Sequence, residues 1–525
     1  MSGRNLCFSL AAPLAGILFL QTAAAQVDVS SFGAKGDGKT DDTAAIQQAI
    51  NSIPAGQTLL FGKASNTYLI SSRLILKPNR TYRGAGTILM SSSAPAHTGM
   101  VKLPYSAAYN VTISGISFDA NGVGGGIQIA VDGGGAVPAT GITLQNTVIR
   151  NTNASPAGPW DSAVYAPVGL IFSSISNNQI VNCAVGFSVT NASNLNIFNN
   201  SFQSIAVGDA IQIVFIPAPF TYGKKIQIRG NSGQQLGRMA IELWPNGGDG
   251  AQTSQVTGTV IDANTFSDWS SASTSDAFGI SVMAGEHAIV QNNKIIGGPA
   301  GYGIELGAPE STVEQNTIQG FSTGIILHDS HNSTVSGNLL VAQNFDGIEF
   351  SNAPGSHTGI TISNNSIINA QTFGIYSNTV DWGGANITGN LISRSAGAYA
   401  ADATQSFIGL AVTPPSSPIT VSSNMINQSA TAAVPGFSFT GIKINGEAGA
   451  NDGSTYQSNS IGSPNSNVQT VGLWANAAGS LNGTVVQGNS FNNLKDASAG
   501  GISPSAQVDG NLIYNCQQLG PLFAP

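Results

Sequence analysis

Acidic side chains are scarce in this chain, which carries 26 Asp and Glu in 525 residues. Several of them nevertheless fall at matching places in a recurring sequence pattern. Glu305, Asp346 and Glu349, with His328 among them, form one group, and Asp209, Arg238 and Glu242 form another upstream. Paired carboxyl groups across a sugar can hydrolyse a glycosidic bond: the protonated one gives its proton to the leaving oxygen, and the ionised one activates a water. The plainer reading is that single acids solvate an exposed strand face. Trp160, Trp244, Trp269 and Tyr376, with Arg238, are the candidate substrate-binding residues. Phe215, Phe220 and Tyr222 add to the aromatic content nearby. Aromatic faces suit the apolar C–H surfaces of sugars, although the same rings serve equally to cover apolar surface under long loops. No cofactor or metal is expected, because no tight Asp cluster suggests calcium and no His/Cys/Glu spacing suggests zinc. His287, His331 and His357 read as surface residues, and serine is too common for one to stand out as a nucleophile.

The elements that must position these residues are repeats. A hydrophobic residue, one or two small polar ones, Asn, a small or polar residue and another hydrophobic recur at Asn146, Asn178, Asn200, Asn231, Asn264, Asn293, Asn316, Asn338, Asn365, Asn390, Asn424, Asn459, Asn489 and Asn511, every 22 to 35 residues. A second pattern alternates with it: Gly or Ala, apolar, variable, apolar, as in Ala210-Ile211-Gln212-Ile213, Gly303-Ile304-Glu305-Leu306 and Gly347-Ile348-Glu349-Phe350. Apolar alternation over four residues marks a short strand with one buried face. Asn tolerates the left-handed conformation, so it is expected to turn the chain between strands. Two or three such strands per repeat make one rung of a parallel β-solenoid, with identical positions stacked about 4.8 Å apart and interior Asn side chains free to form a ladder. A β-propeller or sandwich is the competing architecture, but blades repeat at about 40–45 residues.

Composition restricts the classes further. Only 8% of residues are charged, 41% are hydrophobic and 64 are glycine, which is the reverse of a disordered chain. A net charge of −8 argues against a nucleic-acid surface. Arg4, an apolar run from Leu6 to Leu20 and Ala23-Ala24-Ala25 read as an export signal over residues 1–25, cleaved after Ala25, so a secreted or periplasmic protein is expected. That run is too short to span a bilayer, and no membrane partner is expected. Cys183 and Cys516 fall twelve rungs apart, roughly 55–60 Å, too far for a disulfide.

Residues 26–110 read as an N-terminal cap with the first rungs, and 111–525 as the repeats. Val27 to Phe32 is expected as a strand, followed by a Gly-rich turn and a helix from Asp41 to Asn51 with Thr40 or Asp41 as its N-cap. Gly33, four residues and Gly38-Lys39-Thr40 match a phosphate-binding loop literally. An Asp/Gly turn leading into a helix explains the same residues.

The stretch from Phe32-Gly33-Ala34-Lys35-Gly36-Asp37-Gly38 to Asp41-Asp42-Thr43-Ala44-Ala45-Ile46-Gln47 resembles the N-terminal signature of the pectate-lyase-like superfamily. Tyr68-Leu69-Ile70-Ser71, Tyr82-Arg83-Gly84-Ala85-Gly86 and Ile116-Ser117-Phe118-Asp119-Ala120-Asn121-Gly122 extend that resemblance over about residues 27–122. It implies an all-β, right-handed parallel β-helix with an N-terminal α-helical cap, commonly acting on polysaccharides. It also implies a groove on the sheet of the Gly-apolar-variable-apolar strands, whose variable residues, from Ser188, Gln212 and Glu242 to Ser281, Glu305, Ile326, Glu349, Tyr376, Ala411, Lys443 and Trp474, then form an outward row. Glu305 and Glu349 would lie two rungs, about 9–10 Å, apart, near the roughly 6.5–9.5 Å of inverting glycosidases. Asn344-Phe345-Asp346-Gly347 resembles the Asn-Thr-Asp-Gly motif of family-28 glycoside hydrolases, which implies a catalytic Asp346. Phe345 departs from that motif, and the family's later Gly-Asp-Asp, Gly-His-Gly and Arg-Ile-Lys motifs do not follow it.

The expected function is a glycoside hydrolase acting on a polysaccharide or oligosaccharide through groove carboxylates. A polysaccharide lyase or epimerase would instead need Arg, Lys or calcium to neutralise a uronate, and a non-catalytic carbohydrate-binding or adhesin-like solenoid would need neither. Oligomeric state is not legible in the sequence.

Overall fold

The computed structural model describes residues 26–523, apart from 105–108, 132–136, 155–157, 217–222, 247–255, 270–276, 298–300, 352–356, 378–381, 396–405, 414–416, 430–437, 446–452, 464–468, 476–482 and 501–505. The export-signal reading of residues 1–25, and Phe220 and Tyr222, lie outside the described residues.

Among the described residues the strands wind into three parallel sheets. Sheet A runs from Gln26–Asp28 to Gln507–Asp509 and sheet B from Asp37–Asp41 to Leu512–Tyr514, each with 18 strands; sheet C runs from Leu74–Ile75 to Asp496–Gly500 with 16. Each strand pairs with its equivalents one turn earlier and one turn later, for example Ile304 with Ile280 and Ile325. This is a β-helix, not a propeller. Its core is a continuous column of Ile, Leu, Val and Phe drawn from all three sheets.

The small residue that opens each sheet C strand has a steric cause. A Cβ on Gly347 would stand 2.4 Å from Cγ2 of Ile367 on sheet B, so only glycine fits there without a shift. Gly347 and Ile348 thus both face the interior, and Asp346 and Glu349 flank them on the outer face.

The asparagines behave differently from expectation in one respect. Those from Asn178 to Asn511 form the expected buried ladder. Asn316 Nδ2, for instance, donates to Asn338 Oδ1 at 3.0 Å and to the Val290 carbonyl at 2.9 Å, and the Asn316 N–H also donates to Asn338 Oδ1. They do not turn the chain. The residue before each takes the left-handed conformation, among them Asn177, Asn199, Ala263, Gln315 and Ser423. Asn146 is such a preceding residue, and the ladder begins at Thr147, whose hydroxyl donates to Asn178. A ladder member must aim its amide inward along the stack, so the sharp turn falls one residue earlier.

The N-terminal turn also departs from the sequence reading. Only Gln26–Asp28 is strand; Val29–Phe32 is a 3-10 turn begun by Asp28, whose carboxylate accepts the Ser30 N–H. Helix α1 spans Thr43–Ser52, starting later than expected. Asp41 accepts the Thr43 N–H, while Asp42 turns back to accept from the Lys35 and Gly36 N–H groups. The donors of the phosphate-loop look-alike are therefore taken by this chain's own carboxylates. In chain order α1 stands where later turns place a sheet C strand. Its Ile46, Ala49 and Ile50 are buried, and the Gln47 amide bonds both the N–H and the C=O of Ile75 on the first strand of sheet C. Cys183 and Cys516 are free thiols.

Candidate active site

Sheet C carries the outward row in the expected register. Gln212 pairs with Glu242, Glu242 with Ser281, Ser281 with Glu305, Glu305 with Ile326, Ile326 with Glu349 and Glu349 with Tyr376. Beyond these come Ala411, Lys443 and Trp474. Two carboxylate clusters stand on this face.

In the upper cluster Arg238 lies between Asp209 and Glu242. Its Nη1 is 2.8 Å from Asp209 Oδ2 and its Nη2 is 3.0 Å from Glu242 Oε1. Gln212 Nε2 donates to Glu242 Oε2 at 2.7 Å and to Asp209 Oδ2 at 3.1 Å, and the Met239 N–H takes Asp209 Oδ1 at 2.9 Å. All four carboxylate oxygens have partners. Both acids are buried, and Arg238 is about a third exposed, at 29%. Burial, and then the Glu242 charge, raise Asp209 to about 8 against the pull of Arg238. Asp209 and Arg238 line a depression of about 190 Å³ with Gly158, Pro159 and Ser188. Arg238, expected as a loop charge or a substrate ligand, is an ion-pair bridge.

The lower cluster joins Glu305, His328, Asp346 and Glu349. Ser281 Oγ donates to Glu305 Oε2 at 2.5 Å, and His328 Nε2 is 3.1 Å from Glu305 Oε1. Thr323 reaches Glu349 Oε2 at 3.4 Å. Asp346 is 7% exposed, and its Oδ1 is buried without a hydrogen-bond partner. Burial, and next the Glu349 charge, push Asp346 up to about 7. Burial also raises Glu349, opposed by the Thr323 hydrogen bond and His328. Aromatic pairs stand on both sides along the axis: Phe278 with Tyr302, centroids 4.7 Å apart, and Phe373 stacked on Tyr376 at 4.3 Å. Burial, then the cluster's carboxylates, raise both tyrosine phenols.

The tryptophans divide. Trp160, on the 3-10 turn Pro159–Asp161, and Trp244, two residues past Glu242, are exposed. Trp269 is not a groove residue. It is buried at 8% exposure, packs edge-on against Phe321, and donates its indole N–H to the Arg238 carbonyl at 2.7 Å. Its strand belongs to sheet B, so the ring turns inward beneath the upper cluster. His357, expected at the surface, is fully buried, with Nε2 3.1 Å from the Ser351 carbonyl.

Sequence reasoning missed Ser281, Phe278, Tyr302, Thr323 and Phe373 as site residues. Tyr302, Thr323, Asp346 and Phe373 are successive members of one column. The signal was available: each lies two residues before the first apolar residue of its strand, as Asp209 and Asp346 do.

Comparison with known proteins agrees with this architecture. Residues 26–214 match the family described as Rhamnogalacturonase A/epimerase, pectate lyase-like, and residues 249–409 match the Right handed beta helix region. The resemblance read from the N-terminal signature is borne out over the first part of the chain, where the pectate lyase-like family matches, and the right-handed β-helix match continues it further on. A 98-residue stretch, 18% of this chain, is 40% identical to Depolymerase 1, capsule K30/K69-specific, of Klebsiella phage K5-2, and spans only 12% of that protein. Among solved structures, the catalytic unit of a GH87 alpha-1,3-glucanase from Streptomyces thermodiastaticus is 17% identical, over 93% of this chain and 69% of that one, with a TM-score of 0.32. The Azotobacter vinelandii Mannuronan C-5 epimerase AlgE6 A-module is 14% identical, over 93% and 98%, with a TM-score of 0.22. None is near enough to transfer a reaction.

Proposed function

We propose that this chain is an exported polysaccharide-degrading enzyme, a glycoside hydrolase whose bond cleavage occurs at the lower cluster. The observation that carries the reading is Asp346, a buried carboxyl with one oxygen unpartnered, beside Glu349, one rung from His328 and two from Glu305. Asp346 keeps its proton to about pH 7 and gives it to the glycosidic oxygen as the C–O bond breaks. The Glu349 charge beside it holds that proton in place. Glu305, positioned by Ser281 and His328, takes a proton from the water that attacks the anomeric carbon. Glu305 lies two strand spacings, roughly 9–10 Å, from the position of Glu349 in the same row, with Asp346 in the neighbouring column, so that the two groups stand apart along the groove with room for a water. The upper cluster, with every oxygen engaged, acts in this reading as a structural clasp beside the groove.

The similarity to a capsule depolymerase supports a polysaccharide as substrate. The export signal over residues 1–25 and the capping of the first turn by α1 belong to the same proposal. The test is mass spectrometry of products from a panel of neutral and uronate polysaccharides. Oligosaccharides carrying an added water are expected. Unsaturated ends would replace hydrolysis by elimination, and retention without cleavage would point to a binding solenoid.

A further inference from the structure

With the lower cluster as the hydrolytic site proposed above, the charge around it discriminates among glycans. Between the strands of Asp209 and Tyr376 the described groove face carries Asp209, Glu242, Glu305, Asp346 and Glu349. Two basic side chains, Arg238 and His328, face them. Arg238 is already held by Asp209 and Glu242, and His328 by Glu305. The other cationic or basic side chains of this stretch belong elsewhere: Arg229 is on sheet A, Lys294 on sheet B, Lys224 and Lys225 lie beside Thr257 on the way into sheet A, and His287 and His331 stand by Glu310 and Asp329; just past it, Arg394 on sheet B is buried against the Gln371 carbonyl. The segments 217–222, 247–255, 270–276, 298–300, 352–356 and 378–381 contain no Lys, Arg or His, whereas they do contain Asp249, Asp276 and Asp381. The next cation down the row is Lys443, three strands past Glu349, about 14 Å away, where it lies over the Trp474 ring.

The same stretch has features that suit uncharged sugars. Asp346, buried and proton-bearing to about pH 7, can donate to a sugar oxygen without adding a charge. Phe278 with Tyr302, and Phe373 with Tyr376, give aromatic surface on either side of it.

We propose that this groove selects neutral polysaccharides, chains whose rings at the point of cleavage bear hydroxyls but no carboxylate or sulfate. A uronate there would add a like charge beside Glu305 and Glu349, in a half-buried place where salt and water screen little and no cation is at hand.

The experiment uses the full chain in affinity electrophoresis against matched pairs of polysaccharides. Polygalacturonate and alginate are each presented in native form and after carboxyl reduction, which leaves backbone and linkages unchanged, together with neutral glucans and galactans. Retention is expected only with neutral or reduced members, by about tenfold or more over any native uronate. Glu349→Gln is expected to narrow that preference several-fold. A native uronate retained as strongly as its reduced form would overturn the proposal, as would a panel with no neutral or reduced member retained. Product masses separate this outcome from that of the hydrolase reading. A neutral glycan retained but not cleaved supports the selectivity and contradicts hydrolysis, whereas water-added products from a native uronate do the reverse.

Discussion

The upper and lower carboxylate clusters stand on one sheet, at the same two positions of the repeat. Asp209 and Asp346 both precede the small residue that opens a strand, and Glu242 and Glu349 both occupy the outward row. They differ in their partners. Arg238 and Gln212 occupy the oxygens of the first pair, whereas the second pair faces tyrosines, Thr323 and His328, and keeps one buried oxygen bare. Equivalent positions of the repeat, on successive rungs in the first pair and on one strand in the second, therefore yield a fastened cluster in one case and a poised acid in the other. What differs is the guanidinium of Arg238, which reaches both carboxylates of the first pair.

The sharpest way to break this comparison is to remove both aspartates separately. Asp346→Asn is expected to lower kcat/KM by about 10²–10⁴-fold while leaving the melting temperature unchanged or higher, since it replaces a poorly solvated acid by a neutral amide. Kinetics on a cleaved glycan and thermal denaturation check both halves.

Arg238→Ala should do the opposite. It leaves Asp209 and Glu242 buried without their cation, and is expected to cost about 3 kcal/mol, the lower end for such a break because Arg238 is partly exposed. Denaturant titration reads the stability, and activity per folded molecule should stay within a few-fold.

The two clusters also predict different pH windows. Asp346 titrates near 7 in the folded chain and near 3.8 as an unperturbed group. The folded state therefore holds the extra proton, and this contribution to stability is full below about pH 4 and lost as pH rises to 7. Asp209 gives a loss of the same sign extending to about 8. Melting temperature should fall less steeply between about pH 4 and 7 in Asp346→Asn than in the unsubstituted chain, and the reduction should extend to about 8 in Asp209→Asn. Activity should fall on the alkaline side as Asp346 ionises. Glu349→Gln, by removing a like charge, should move that limb down by up to about one pH unit.

The smallest effect is expected at Trp160. Trp160→Ala should raise KM a few-fold with kcat held, the signature of lost ground-state binding, without a change in melting temperature.

Much of this was legible in the sequence. The Gly-apolar-variable-apolar pattern is a steric necessity of the corner at Gly347, so it reports strand register faithfully and placed Glu242, Glu305, Glu349 and Tyr376 in one row. The asparagine pattern reported the ladder for the same reason. It did not report the turn, because the left-handed residue is Asn, Gly, Ala, Gln or Ser by turns and carries no fixed letter. Partners were the least legible. That Arg238 fastens the upper pair, and that Trp269 turns inward to hold Arg238 from below, depend on which way a chain leaves its strand. A spacing pattern of period two is silent about that once the strand ends.

The most direct measurement sets Asp346→Asn beside Asp209→Asn on one cleaved glycan, with products weighed and turnover corrected for folded fraction. The account predicts that water-added products vanish in the first and persist in the second. Products that persist in Asp346→Asn and vanish in folded Asp209→Asn would move the chemistry to the upper cluster and contradict it.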